Sequence, residues 1–423
     1  MSELFGISAD ILIFGVATLL ACYMAANIGA NDLANAMGTS AGSGALTVKQ
    51  AVIVSFFLEL LGASLAGGHV TNTIRKGLID PALLSNSPEL LLIGMFSALL
   101  AAGIWVHTAT LLGLPVSTTH SIVGAVVGFG ILAVGFLNVS WKMVFTVALS
   151  WVVSPIAGAI ISGAIFYFLD NKVLRSKNPY GSAKGMAPYL LGMVVFVIVL
   201  SVIYKGLKNL NLNFDFFGSL LIALPVSLVA GFVGAALLSR LGGPDCRWIK
   251  GDDSEKVECV FAYLQIMTAC YVAFAHGAND VANAVGPLAA IFSIAQTKSV
   301  VMQVEVPIWM LALGGSLVGL GLLIFGSRVM ETIGRKITEI TPIRGFCAEF
   351  GAATTVLLCS RLGLPISTTH VLVGSVIGVG IMRGMGVLDL RVIKNIMYSW
   401  LVTLPFTILL SMIIYRLLCW ALV

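Results

Sequence analysis

Four short stretches hold most of the chemistry this chain could perform. GANDLANA at residues 29–36 returns as GANDVANA at 277–284, identical at seven of eight positions. GLPVSTTHSIVGAVVGFGI at 113–131 returns as GLPISTTHVLVGSVIGVGI at 363–381, identical at thirteen of nineteen. In the first motif Asn31 and Asn35 stand four apart, as do Asn279 and Asn283. That spacing puts each pair on one face of a helix, with Asp32 and Asp280 beside them. Gly29 and Gly277 would let the helix unwind and expose carbonyls. Carboxylate, amide and carbonyl oxygens are hard ligands, suited to a small hard cation. No cysteine or multi-histidine cluster accompanies them, which argues against a transition metal.

The second motif offers donors instead. Pro115 and Pro365 end one segment; Ser117, Thr118, Thr119 and Ser367, Thr368, Thr369 then open a Gly-rich one. Ser and Thr are favoured helix N-caps. The first turn of a helix presents unpaired N–H groups and a positive dipole end, an anion site to which hydroxyls add donors without adding charge. Plain capping after a proline would look the same in a single copy; two matching copies favour a ligand. His120 and His370 follow the caps, and either donate to the anion or fill a helix interface.

These residues must be positioned by membrane-spanning helices. The chain is 58% hydrophobic and only 10% charged, against about 25% charged in soluble proteins. Apolar segments fall at about 10–38, 48–68, 89–113, 116–138, 142–168, 187–205, 216–240, 258–292, 306–330, 345–362, 366–386 and 393–421. Segments one and eight are over-long and interrupted; four and eleven are Gly-rich. These four are expected to be broken or re-entrant. The first run has Glu3 and Asp10 upstream and no Lys or Arg, so it lacks the basic start of a cleaved signal peptide. The net charge of +5 is spread over loops, which excludes a nucleic-acid partner. The seven cysteines form no CxxC pair and read as small core residues. If each segment crosses once, one face receives seven Lys and Arg and the other sixteen. The richer face is then cytoplasmic, with loops 170–186 and 241–258 on it and both termini outside.

The first motif recurs at an offset of 248 residues and the second at 250, so the chain is a duplication. The first repeat is 10–168, followed by linking transmembrane segments 187–240, a short cytoplasmic loop 241–258 and the second repeat 258–421. Seven segments separate the repeat starts. Seven is odd, so the second copy enters from the opposite face. The expected fold is an all-α polytopic membrane protein with about twelve segments in two inverted-topology repeats, a plan typical of secondary transporters.

Only Asp32, Glu59, Asp280 and Glu349 lie deep in apolar segments among the acids. A charge at the bilayer centre costs about 3 kcal/mol, so each needs a reason: cation or proton binding, or hydrogen-bonded helix contacts. Glu59 and Glu349 do not occupy equivalent positions. His276 has Ile28 as its repeat partner and falls outside the symmetric design. Cation ligands beside anion donors, with no deep Lys or Arg, imply that a cation enters with the anion. A cation channel or cation/proton antiporter is the alternative, although the doubled cap argues against it. No HExxH or GxSxG motif suggests an enzyme, and no cofactor is expected.

The doubled GANDxANA and GLPxSTTH motifs resemble those of the inorganic phosphate transporter family, sodium- or proton-coupled phosphate symporters, over essentially the whole chain. TNTIRKGLID (71–80) and FCAEFGAATT (346–355) also look like the family, particularly its sodium-coupled branch. The resemblance implies import of phosphate with a cation, sodium before protons, by alternating access in a cell membrane, and it admits a homodimer. It implies phosphate binding by Ser117, Thr118, Thr119, Ser367, Thr368, Thr369, Asn35 and Asn283. It implies ion binding at Asp32 and Asp280 and a part in transport for Glu59 and Glu349; with Asn31 and Asn279 from the spacing above, the expected cation ligands are Asn31, Asp32, Asn279, Asp280, Glu59 and Glu349, with sodium at Asp32 and Asp280. Eukaryotic relatives carry a long insert between the halves, which the short 241–258 loop lacks. A sulfate or other oxyanion symporter, sodium- or proton-coupled, is the alternative within the same architecture.

Overall fold

The computed structural model describes residues 3–4, 7–67, 78–206, 214–240, 252–301, 306–361 and 366–422. The first half begins with α1 (Ala9–Ile28) and α2 (Ala34–Gly42), joined by a wide π turn at Gly29–Leu33. It continues with α3 (Val48–Ala66), α4 (Pro88–Leu111), α5 (Thr118–Ala133) and α6 (Trp141–Leu169). Two linking helices follow, α7 (Pro179–Ser201) and α8 (Phe216–Arg240). The second half holds α9 (Asp253–Asp280), α10 (Ala282–Thr297), α11 (Ile308–Phe325), α12 (Pro342–Arg361), α13 (Thr368–Arg383) and α14 (Leu390–Leu422). Two-residue strands, Glu3–Leu4 and Ile7–Ser8, pair ahead of α1 and are a small addition to the all-α plan.

Among the described residues, nine helices are long and apolar enough to cross a bilayer. Leu19, Phe57, Ile160, Phe217 and Phe232 point outward, as a lipid-facing surface requires. The chain is thus a helical multi-pass membrane protein. The other three of the twelve expected segments are present but different in kind. Helices α5 and α13 have 16 residues each, about 24 Å, short of the roughly 30 Å hydrocarbon layer. Helix α12 is long enough but too polar, carrying Arg344, Glu349, Thr354 and Thr355. The expected interruptions of segments one and eight fall inside the motifs, at the π turn and at Val281 between α9 and α10.

The halves interleave. Helix α6 packs on α13 and on α12; with the halves exchanged, α14 packs on α5 and on α4. In the same way α9 lies along α3 while α1 lies along α11, and α9 meets α12 while α1 meets α4. Nearly every contact of one half has its counterpart in the other.

Some expectations shift. Asp252 caps α9, which begins at Asp253, so residues 253–258 are helix rather than the end of a 241–258 loop; residues 241–251 lie outside the described residues. So do most of TNTIRKGLID and the Gly363–Pro365 start of the second GLP. Cys259 is disulfide-bonded, a departure from the reading of every cysteine as an unpaired core residue, while Cys22, Cys270, Cys347, Cys359 and Cys419 are free.

Candidate functional site

The glycine of each GAND motif is where two helix backbones touch. A Cβ on Gly29 would lie 1.7 Å from the Val318 carbonyl oxygen, and one on Gly277 would lie 2.3 Å from that of Glu59. Glycine therefore serves close approach, of α1 to α11 and of α9 to α3. Unwinding follows only in the first copy, at the π turn; in the second, the helix runs on to Asp280. π turns are frequent at functional sites because they turn side chains and free carbonyls.

The STT caps form as expected. Ser117 Oγ accepts from the His120 N–H at 3.2 Å, and Ser367 Oγ from the His370 N–H at 3.3 Å. Capping thus occupies the serines and leaves the threonine side chains available. Their partner is Asp32. Thr118 donates to its Oδ2 and Thr369 to its Oδ1, so one carboxylate joins the caps of both halves. The asparagines cross over. Asn35 Nδ2 donates to Thr369 at 3.1 Å; Asn283 Nδ2 donates to Thr118 at 3.2 Å and Thr119 at 3.1 Å. Each half's GAND helix therefore reaches the other half's cap. The four core side chains Asp32, Asn35, Asp280 and Asn283 are buried.

The second aspartate is held differently. Thr368 reaches Asp280 Oδ2 only at 3.5 Å, while Asn279 Nδ2 donates to Oδ1 at 3.1 Å. His276 sits one turn before it, with Nε2 3.3 Å from Asp280 Oδ2 and Nδ1 2.9 and 3.0 Å from the two Glu59 oxygens. Glu59, His276 and Asp280 form one buried line. Ligand atoms of Asp32, His276 and Asp280 all lie within 4.8 Å of one another. The Asn35 side-chain oxygen Oδ1 beside them is buried without a hydrogen-bond partner. A cavity of about 50 Å³ opens here, lined by Asp32, Asn35, His276, Thr368 and Thr369 among others. Two carboxylates, an unpartnered amide oxygen and neighbouring hydroxyls are the donor set a small cation needs.

Two expected ligands lie elsewhere. Asn31 donates to Thr110 Oγ1 and the Leu114 carbonyl, both at 3.0 Å, and accepts from the Val116 N–H at 2.9 Å. Its amide pins the loop that leads into the first cap. Glu349 sits in a separate pocket with Thr39, Ser40, Thr268 and Gln265. The histidines of the caps fill an interface. His120 and His370 meet edge to face with ring centroids 4.9 Å apart, and His370 stacks on Trp400 at 3.8 Å.

Repeat logic set His276 aside because Ile28 takes its place in the other copy. The overlooked signal was its i,i+4 spacing to Asp280, which puts the two on one helix face.

The chain has relatives among known proteins. The sequence profile of the phosphate transporter family matches residues 28–411. A relative from Pyrococcus abyssi bearing a phosphate-permease name is 46% identical over 400 residues, covering 95% of this chain and 96% of the relative. Inorganic phosphate transporter 2-1, chloroplastic, of Arabidopsis thaliana is 43% identical over 429 residues, covering 95% of this chain and 71% of the relative. A solved structure described as the sodium-dependent phosphate transporter superposes with a TM-score of 0.87 at 44% identity, covering 97% of this chain and all of its own.

Proposed function

The chain belongs to the phosphate transporter family, and from this premise we propose that it imports inorganic phosphate by symport with sodium through alternating access. The observation that carries the reading is that Asp32 accepts hydrogen bonds from Thr118 of one cap and Thr369 of the other. A hydroxyl has one hydrogen to give. While Thr118 and Thr369 donate to Asp32, they cannot donate to phosphate. A sodium ion taken up by the Asp32 carboxylate and the Asn35 oxygen satisfies that carboxylate, and the hydroxyls turn to the anion. It also removes the repulsion between a buried carboxylate and an oxyanion, which is large where the dielectric is low. Cation binding thus makes the anion site, and each half's first-turn amides complete it from opposite sides.

The interleaved packing supports the treatment of 10–168 and 258–421 as inverted repeats. Rocking of one set of helices against the other would open the shared site to either face of the cell membrane. The sodium-dependent character of the similar solved transporter favours sodium over protons. The uneven spread of Lys and Arg between the two faces supports both termini lying outside.

The test is uptake of labelled phosphate into proteoliposomes with sodium and proton gradients imposed separately. The reading predicts accumulation driven by sodium. Uptake indifferent to both gradients contradicts symport, and uptake of sulfate in place of phosphate contradicts the substrate.

A further inference from the structure

The starts of α1 and α4 and the ends of α10 and α14 surround a recess of about 650 Å³. Helix α4 packs against the other three and α1 against α10, yet their ends leave this space between them. Ile13, Ile93, Phe96, Ile294 and Leu418 make its walls, so each helix contributes hydrocarbon. The charged residues that line it are Glu89 and Lys298. Both are exposed, and both stand at helix ends, Glu89 in the first turn of α4 and Lys298 directly after α10. Charge is thus confined to the mouth.

Such a recess suits neither water nor a void. Ordered water needs polar partners, and wall atoms that face empty space lose their dispersion contacts. The volume falls within the roughly 300–1,000 Å³ of small-molecule pockets. From Glu89 to Phe96 the wall of α4 runs seven residues, about 10 Å, which fits within one leaflet's half of the roughly 30 Å hydrocarbon layer. Leu12 and Val16 also line the recess and are 49% and 42% exposed, so it is continuous with the lipid-facing surface.

We infer that the recess binds one phospholipid with an ethanolamine headgroup, its acyl chain among α1, α4, α10 and α14, its phosphate at Lys298 and its ammonium at Glu89. Hydrocarbon below one positive and one negative charge is the outline of a zwitterionic lipid. The phosphate pairs with the lysine ammonium, and the lipid's own ammonium donates to the carboxylate. A purely anionic headgroup would gain from Lys298 but be repelled by Glu89. A choline headgroup carries both charges but has no N–H to donate. Lys298 ends α10 with left-handed backbone, φ 53°, and is the one non-glycine residue with positive φ among the described residues. Glycine or asparagine is usual at such a helix end; lysine there keeps a positive charge at the mouth.

Native mass spectrometry of the detergent-purified protein tests this, with phosphatidylethanolamine, phosphatidylglycerol and phosphatidylcholine of identical acyl chains added in turn. The parent should take up one phosphatidylethanolamine per chain ahead of the other two lipids. Glu89→Gln should erase the preference for phosphatidylethanolamine over phosphatidylglycerol. Lys298→Gln should weaken both about fivefold, the worth of one exposed ion pair. Both variants alter exposed side chains, so folding is not at stake. Ala295→Phe puts a ring into the recess and should displace the lipid. Equal uptake of all three lipids by the parent, unchanged in Glu89→Gln, would mean ordinary bilayer lipid and overturn the site. A dimer in the parent that Ala295→Phe dissociates, with no lipid lost, would assign the recess to a second copy of the chain and overturn it as well.

Discussion

The two copies of GANDxANA differ in one letter of eight yet are held by different chemistry. Asp32 receives two threonine hydroxyls, one from each half. Asp280 has an imidazole beside it, and that imidazole is anchored by Glu59. The cause lies outside the motif. Ile28 precedes the first copy and His276 the second. The residue whose carbonyl faces the motif glycine is Val318 in the first case and Glu59 in the second. An apolar pair in one half is thus a hydrogen-bonded acid–base pair in the other. The two carboxylates therefore sit in unlike surroundings. Asp32 accepts hydrogen bonds from neutral hydroxyls, whereas Asp280 has an imidazole 3.3 Å away and an amide donor from Asn279.

The comparison predicts unequal consequences. Asp32→Asn should abolish sodium-driven uptake, a loss of about a hundredfold or more, as when one member of a buried charge pair is removed. Asp280→Asn should lose markedly less. Equal losses in sodium-driven uptake assays would show that the two aspartates share one role.

Converting the second half to the pattern of the first is the next largest change. His276→Ile leaves Glu59 buried and unpaired, which should cost about 3–5 kcal/mol of stability. Adding Glu59→Val to that variant restores an apolar pair and should recover most of it. Melting of the detergent-purified protein reads both. A double variant no more stable than His276→Ile would mean that the two residues are not an energetic pair.

The smallest effect concerns Asn31. Asn31→Ala leaves the Val116 N–H without its acceptor and frees the loop ahead of the first cap, at a cost of about 1–3 kcal/mol. Because the first cap alone is disturbed, phosphate affinity should fall while saturable sodium binding persists. Loss of the sodium ion instead would return Asn31 to the cation site.

Periodicity and repetition made much of this legible. The twelve apolar segments have helices where they were expected, and the doubled motifs meet at one place because the halves interleave. Three features were hidden for physical reasons. Offset alone equates Thr118 with Thr368, but the partner of Asp32 in the second cap is Thr369; a difference of one residue in a helix's first turn is set by how two helices dock. Asn31 and Asn35 share a helix face, yet the π turn between them sends one to a loop and the other to the opposite cap. The ring around Glu349 draws on α2, α9 and α12, and its threonines and serine look like ordinary helix-interface residues until those helices meet.

In the proposed mechanism one anion is held by hydroxyls from both halves, released to it when sodium takes Asp32. Equilibrium binding of ³²P-phosphate to the parent, Thr118→Val and Thr369→Val, each with saturating sodium and with none, addresses it most directly. Each variant should bind phosphate about ten- to a hundredfold more weakly in sodium, the worth of one hydroxyl donor to a charged ligand. Thr368→Val, whose hydroxyl lies 3.5 Å from Asp280, should change less. Parent-like phosphate affinity in both Thr118→Val and Thr369→Val, or affinity in the parent that does not depend on sodium, would mean that these hydroxyls do not hold the anion under sodium control.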